Sequence, residues 1–324
     1  MRRSVAGLLA GVLAGILAAT SAAADWPTRV VKIVVPFGPG STPDFAARLL
    51  ADRLQARLGQ PFVIENKAGA GGNLGTDAVA KADPDGYTLG VSIVGPLALN
   101  ALLFPKMPYD PAKDLTPITI VAEQPSILVV TRDLPVANVE DLVALLRREP
   151  GKYNFGSIGI GSLSHLAMEA LATRSGTRPV HIPFSGSPAA VTALIRGDVQ
   201  MAVLPAGSVV PQAEDGKLRM LAVTASQRSP LLPSLPTLKE SGLADVEANA
   251  WIGLIAPARL EEAVVARLGS AVRQVLGEPE VRVKLKAQFM EPGGMSAEEF
   301  RAVIQSELDR WGPVIKANNI RMGQ

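Results

Sequence analysis

From residue 30 to residue 256, strand-length apolar runs alternate with segments of helical period, and no other feature restricts the possible folds of this chain as tightly. Val30-Val31-Lys32-Ile33-Val34-Val35 reads as a buried strand. Phe45, Leu49, Leu50, Leu54 and Leu58 then recur at helical spacing, and Gly59 is placed to end that helix. Further strands are predicted over 61–64, 88–94, 127–130, 153–157, 180–184, 200–204, 219–224 and 250–256. Helical stretches over 260–276, 280–289 and 297–316 close the chain. Asn138 with Asp141, and Ser296 with Glu299, have the spacing of capping boxes. Such alternation predicts an α/β protein with mostly parallel sheets flanked by helices.

The chain opens with Met1-Arg2-Arg3-Ser4, an apolar run to Thr20, and Ser21-Ala22-Ala23-Ala24-Asp25. Residues 1–24 therefore read as a secretory signal peptide cleaved after Ala24. Gly11 and Gly15 interrupt the apolar run, which argues against a membrane anchor, and no later stretch supplies the ~20 apolar residues of a span. The chain has 32 Lys+Arg and 30 Asp+Glu, and losing Arg2 and Arg3 leaves the mature part formally neutral. A neutral chain without a basic block lacks the electrostatic footprint of a nucleic-acid or anionic-membrane binder. Cysteine is absent, which excludes disulfides, Cys-based zinc or redox chemistry and a lipid-modified N-terminus. His165 and His181 are too few for a His-rich metal site. A mature chain of about 300 residues buries ~75% of its unfolded surface and can be held by its core alone. Its size predicts two lobes. Ser229-Pro230-Leu231-Leu232-Pro233-Ser234-Leu235-Pro236 is the clearest loop-rich joint and a candidate linker.

One local design recurs. Val35-Pro36-Phe37-Gly38-Pro39-Gly40-Ser41-Thr42-Pro43-Asp44 joins the first strand to the first helix. Phe155-Gly156-Ser157-Ile158-Gly159-Ile160-Gly161-Ser162-Leu163-Ser164-His165 and Ile182-Pro183-Phe184-Ser185-Gly186-Ser187-Pro188 repeat the plan. In each, a strand ends, glycines let the backbone bend, and Ser or Thr stands where a helix begins. Pro43 and Pro188 fit first-turn positions that need no backbone donor. A helix N-terminus exposes unpaired N–H groups and a partial positive charge, and in open α/β sheets ligands settle beyond the carboxyl ends of strands. Three such turns around one cleft can hold a carboxylate without Arg or Lys. At roughly 1.5–3 kcal/mol per charge-assisted hydrogen bond, three or four bonds offset by desolvation reach the ~8 kcal/mol of micromolar affinity. A single turn of this kind is ordinary capping; the recurrence is what points to binding. Gly69-Ala70-Gly71-Gly72-Asn73-Leu74-Gly75 puts Leu74 where a dinucleotide fingerprint needs glycine, and no phosphate-loop Gly-Lys-Ser/Thr occurs, so no nucleotide cofactor is expected.

Catalytic constellations are missing. No serine lies in a Gly-x-Ser-x-Gly frame. Ser164 and His165 are adjacent, and adjacent helical residues do not face one another. His165 reads as a helix-start or packing residue, His181 as a strand residue, and Glu169 as a local partner of His165. Asp44 reads as a dipole complement that forms a capping box with Ser41. No carboxylate pair stands out as an acid/base couple, so the chain is not expected to be an enzyme.

With these turns in view, the chain resembles the periplasmic solute-binding subunits of tripartite tricarboxylate transporters, the Bug or TctC-like proteins. The resemblance is carried by Val34-Val35-Pro36-Phe37-Gly38-Pro39-Gly40 with Asp44 and Ala47-Arg48, and by Glu65-Asn66-Lys67-Ala68-Gly69-Ala70-Gly71-Gly72-Asn73. It continues through Ala82-Asp83-Pro84-Asp85-Gly86-Tyr87-Thr88, Pro108-Tyr109-Asp110-Pro111, Gly161-Ser162-Leu163-Ser164-His165-Leu166-Ala167 and Gly216-Lys217-Leu218-Arg219. It implies a type II periplasmic-binding-protein fold, with lobe one at residues 25–125 plus 226–324, lobe two at 126–225, and strands crossing between them. It implies that a carboxylate is held in the interlobe cleft, partly through ordered water, by Phe37, Gly38, Gly40, Ser41 and Thr42 of the first turn. Gly159, Ser162 and Ser164 of the second turn and Phe184 and Ser187 of the third complete the set, with Gly95 of the Val94-Gly95-Pro96 loop in the wall. No metal or cofactor is implied.

The implied partners are a small carboxylate (a di- or tricarboxylate, an amino acid or an aromatic acid) and the membrane subunits of a transporter. A monomer that closes on its ligand in the periplasm is expected. A ligand-presenting role in a sensory system and a periplasmic enzyme acting on a carboxylate are the alternatives. The chain also departs from the family pattern. It has Pro39-Gly40-Ser41 for Pro-Gly-Gly, Phe184-Ser185-Gly186 for Tyr-Lys-Gly, Val199-Gln200 for Val-Asp, and Leu204-Pro205-Ala206-Gly207 for a polar segment. These departures predict a pocket with a less polar far half and a ligand with an apolar or aromatic far end.

Overall fold

The computed structural model describes residues 26–322, so the signal-peptide reading of residues 1–24 lies outside the described residues. In chain order the strands are β1 (Val31–Val35), β2 (Phe62–Asn66), β3 (Thr88–Ile93), β4 (Leu115–Gln124), β5 (Ser126–Thr131), β6 (Asn154–Ser157), β7 (Val180–Pro183), β8 (Met201–Pro205), β9 (Leu218–Val223), β10 (Ala250–Pro257) and β11 (Glu291–Pro292). The longer helices are α1 (Thr42–Leu58), α2 (Asn73–Ala80), α3 (Val139–Arg148), α4 (Leu163–Ser175), α5 (Ser187–Arg196), α6 (Ala206–Glu214), α7 (Glu262–Gly277), α8 (Pro279–Lys286) and α9 (Ala297–Ala317).

Two sheets result, one ordered β11-β4-β10-β3-β1-β2 and the other β7-β6-β8-β5-β9, and each forms a lobe with its helices. β1 pairs in parallel with β2 and β3, and β6 with β7 and β8. This is the return that a helical crossover permits. The remaining pairs, β10 with β3 and β4, β11 with β4, and β5 with β8 and β9, are antiparallel. The sheets are mixed but keep the expected parallel majority in strand direction: β1 to β4 run one way against β10 and β11, and β6 to β9 run one way against β5. The strands by which the chain enters a lobe, β5 for the second and β10 for the first, run against the βα units, whereas β4 and β9, by which it leaves, run with them. β4 passes into β5 across Pro125 alone, and the chain returns from β9 to β10. Thr224 Oγ1 ties the two passages together by donating to the carbonyls of Ser126 (3.1 Å) and Ala248 (3.0 Å).

β4 is absent from the strands predicted above, and it carries a proline, which the interior of a sheet disfavours. Pro117 pairs with Ile255 at a register shift, where the ladder tolerates a missing donor. The 229–236 segment is not a free linker. Leu232 and Leu235 pack against the second lobe's core, and the Pro236 carbonyl accepts the Val223 N–H.

Burial follows the predicted periodicities. Val31, Ile33 and Val35 face Leu50 and Leu54 of α1 and Leu268 and Val272 of α7 in one apolar cluster. A second cluster runs through both lobes, joining Leu128 and Val130 of β5, Phe155 of β6, Leu166 and Leu171 of α4, Leu97, Leu103, and Trp311 and Ile315 of α9. α9 starts with the complete Ser296–Glu299 capping box. At α3 only half a box forms: Asn138 accepts the Asp141 N–H, but Asp141 accepts from Ala137.

Candidate functional site

Parallel strands point their carboxyl ends the same way. In the first lobe this edge carries the turn after β1, the glycine loop after β2 and the Gly95–Leu99 turn after β3. In the second it carries the loops after β6, β7 and β8, which lead into α4, α5 and α6. Each predicted site residue therefore lies at, or just beyond, the carboxyl edge of its own sheet, where helix N-termini collect.

The first turn is organised by Asp44, which is buried at 2% exposure. Its Oδ2 accepts the Gly40 N–H at 2.8 Å and Arg48 Nε at 2.9 Å, and its Oδ1 accepts Asn66 Nδ2 at 2.8 Å. Asn66 also donates to the Phe37 carbonyl at 2.9 Å, joining the turn to the end of β2. Burial pushes the Asp44 pKa up, but the bonds from Arg48, Gly40 and Asn66 outweigh it and hold the group below the ordinary carboxylate range. The expected Ser41–Asp44 capping box does not form, because the Asp44 carboxylate is already engaged. Ser41 is the N-cap of α1, yet its side chain caps nothing, and its Oγ is buried without a hydrogen-bond partner. Thr42 N–H and Asp44 N–H head the helix, and Pro43 between them has none to offer. Phe37 packs where a Cβ on Gly72 would lie 2.9 Å from its Cζ and 2.5 Å from Pro96 Cγ. Gly38 accepts the Ser41 N–H at 3.2 Å, and Gly95 lies beside Asn100. A cavity of ≈ 500 Å³ opens at this turn, lined by Pro39, Gly40, Thr42, Asp44, Phe45 and Arg48, with Gln288 and Met290 from the loop before β11.

The second turn is held differently. Ser162 is a working cap: its Oγ accepts the His165 N–H at 3.3 Å and donates to the Gly159 carbonyl at 2.7 Å. Ser164, expected in the binding set, is turned into the lobe, 4% exposed, and donates to the Val203 carbonyl of β8. Gly161 N–H donates to His165 Nδ1 at 3.1 Å, which leaves the ring proton on Nε2, 3.4 Å from Glu169 Oε1. The His165 and His181 rings stack at 3.7 Å, with Phe155 4.8 Å beyond His181. His181 Nε2 lies 2.7 Å from Ser157 Oγ, which accepts the Gly159 N–H at 3.2 Å. Burial, then the neighbouring His165, push the His181 pKa down to about 4. Both histidines are thus structural, as expected, but they brace the glycine turn rather than merely fill space. In the third turn the Phe184 ring packs over Gly156, and Gly186 heads α5 at φ +125° with no side-chain cap.

The lobes meet at Gly161. A Cβ there would lie 2.7 Å from Leu103 Cδ1 and 2.9 Å from Met322 Sδ, and Met322 Cε also reaches toward Gly71 of the first lobe's glycine loop. Met322 is held by its N–H to the Leu103 carbonyl at 2.9 Å. The structure thus gathers Phe37, Gly38, Gly40, Ser41, Thr42 and Gly95 on one lobe edge. It gathers Gly159, Ser162, Phe184 and Ser187 on the other, and excludes the Ser164 hydroxyl. The sequence argument for a less polar far half also fails in part. Leu204 and Ala206 are fully buried in the second lobe's core, and Gln200 bonds to Asn154 and Gly197. Sequence reasoning missed Asn66, Arg48 and Met322 as parts of this site. Asn66 and Arg48 stood within the blocks carrying the resemblance, which was the available signal.

The family described as tripartite tricarboxylate transporter family receptor matches residues 46–320. Protein BugT of Bordetella pertussis (strain Tohama I) is 35% identical over 302 residues, 93% of each chain. A solved structure of R. palustris Rpa4515 with adipate is 38% identical, with a TM-score of 0.81 over 91% of this chain and 99% of that one. MatC (Rpa3494) from Rhodopseudomonas palustris with bound malate is 34% identical, with a TM-score of 0.77 over 90% of this chain and 100% of that one.

Proposed function

Since the chain belongs to the tripartite tricarboxylate transporter receptor family, we propose that it captures a small dicarboxylate between its lobes and presents it to transporter membrane subunits. The observation that carries this reading is Ser41. Its hydroxyl is buried, unpartnered and placed at the N-terminus of a helix whose first-turn carboxylate, Asp44, is already ion-paired with Arg48 and bonded to Gly40. A buried hydroxyl without a partner costs about 1–3 kcal/mol, so a ligand oxygen that accepts from it recovers that cost. The helix end favours an anion. Adipate and malate in the two similar structures are both dicarboxylates, which supports the same ligand class here.

Phe37, Gly38, Gly40, Ser41, Thr42 and Gly95 are assigned to one carboxylate-facing wall, and Gly159, Ser162, Phe184 and Ser187 to the other. Ser164 acts from behind, by fixing α4 to β8. Lobe one comprises residues 25–125 plus 226–324 and lobe two residues 126–225, a division supported by the membership of the two sheets. The family is one of periplasmic solute-binding rather than catalytic proteins. For this chain we assign export with cleavage after Ala24, a monomeric state and no turnover of the ligand. No helix among the described residues is long and apolar enough to cross a membrane.

Titration calorimetry with malate, adipate and matched uncharged diamides tests the reading. Saturable binding of a dicarboxylate, recovered chemically unchanged, with contraction in small-angle scattering is the expected result. Binding of the diamides with equal affinity, or conversion of the acid, would overturn it.

A further inference from the structure

A second concave site lies at the other end of the first lobe. β10 runs antiparallel to β3, so its carboxyl end, paired as Pro257 with Leu115, sits at the sheet edge opposite the ligand-facing turns. There an open concavity of ≈ 460 Å³ is bordered by β4, the loop after β10, α7 and the start of α9. Arg259, Arg273 and Arg301 line it, with Glu262 as the acidic member of the lining.

Most arginines of this protein are engaged, with Asp85, Asp44, Glu278, Glu280, Asp245, Glu240 and Glu247 among their acceptors. Among the described residues, the arginine side chains without a partner are Arg178, Arg196, Arg259, Arg273, Arg301 and Arg321, and half of these line this one cavity. Arg259 is held at φ +67°, a left-handed conformation that an L-residue other than Asn or Asp seldom adopts. Such an outlier persists only where its surroundings over-determine it. The Arg273 guanidinium lies over Gly269, one helical turn before it, where a Cβ would stand 3.4 Å from Nη1, at ordinary contact distance.

We propose that this cavity binds a tetrahedral oxyanion, a phosphate group either free or carried on a larger molecule, independently of the interlobe site. Three planar guanidiniums offer more paired N–H donors than the two oxygens of a carboxylate can accept, and a tetrahedral dianion accepts from all three. Opposed only by Glu262, the lining carries a net positive charge that matches a dianion. Ile118 and Leu260 give the cavity apolar wall for whatever the phosphate is attached to.

The test is thermal-shift and calorimetric titration of the intact protein with inorganic phosphate and with glycerol phosphate, against sodium chloride at matched ionic strength. Saturable stabilisation by phosphate is expected. The Arg273→Gln/Arg301→Gln double variant should lose at least about tenfold in phosphate affinity while dicarboxylate affinity is unchanged. Arg259→Gly separates binding from folding, since it relieves the left-handed backbone: melting temperature should rise as phosphate affinity falls. Phosphate acting no better than chloride, surviving the double substitution, or competing with a dicarboxylate would overturn the proposal. So would a cavity that binds only an acidic peptide.

Discussion

The two lobes present the same strand–glycine–serine–helix plan, yet they secure it in opposite ways. In the first lobe an ionised Asp44 holds Gly40, Arg48 and Asn66, and the cap residue Ser41 is left idle. In the second, the cap residue Ser162 is engaged, and the turn is braced from beneath by two stacked histidines. One turn is braced by a charge and keeps a hydroxyl in reserve. The other is braced by stacked rings, and its hydroxyls serve the fold. On the proposed reading the lobes play unequal parts: the first would supply a side-chain donor, and the second shape and the backbone donors at the head of α4.

The largest expected effect concerns the glycine at which the lobes touch. Gly40 and Gly161 both have left-handed backbone, at φ +79° and +71°. A Cβ on Gly40 meets nothing within 4 Å, whereas on Gly161 it meets Leu103 and Met322 below 3 Å. Gly40→Ala should cost only the ~1–2 kcal/mol of left-handed strain. Gly161→Ala should add ~1–3 kcal/mol of overpacking, and should detach the Met322 segment. Urea denaturation and amide exchange at Leu103 and Met322 check this. Equal costs for the two variants would mean that the lobes are not in contact there.

Acid should separate the two braces next. The His181 pKa is lowered to about 4 from 6.5. Its neutral form thus contributes stability that is full above pH 6.5 and is lost as pH falls toward 4. Asp44 is shifted down from 3.8, so its contribution persists until pH falls below that value. Near pH 5 amide exchange should accelerate at Gly159 and Gly161 and stay slow at Gly40. The loss is worth at most about 1 kcal/mol once solvent screening of a half-buried ring is allowed for. His181→Phe keeps the ring stack and should abolish the acid dependence; simultaneous loosening of both turns would refute the distinction.

How much of this was legible beforehand follows from what each feature depends on. The turns could be read because glycine, proline and serine leave local marks, and the Ser296–Glu299 box because its partners lie three residues apart. β4 could not, since Pro117 is tolerable only at a register shift set by Ile255, far along the chain. The mixed pairing of the sheets has the same non-local origin. Ser41 and Ser164 illustrate the limit best. Both are hydroxyls at helix starts after glycine, and sequence treats them alike. Which one is free depends on a carbonyl on β8 in one case and on Asn66 capturing Asp44 in the other. Met322 had no readable signal, because its role is only to lie between Gly71 and Gly161.

The smallest expected stability changes distinguish the two cap serines, and they run in opposite directions. Ser41→Ala removes a buried hydroxyl that has no partner in the protein, so folding stability should hold or rise by up to about 1 kcal/mol. Dicarboxylate affinity should fall by about tenfold, the worth of one charge-assisted bond. Ser162→Ala removes a working cap, so stability should fall by ~1 kcal/mol. Affinity should change by no more than about threefold, because the hydroxyl proton already goes to Gly159. Calorimetric titration and urea denaturation of both variants supply the four numbers. If Ser162→Ala weakens binding as much as Ser41→Ala, the second lobe also contributes a side-chain donor, and the inequality drawn between the lobes fails.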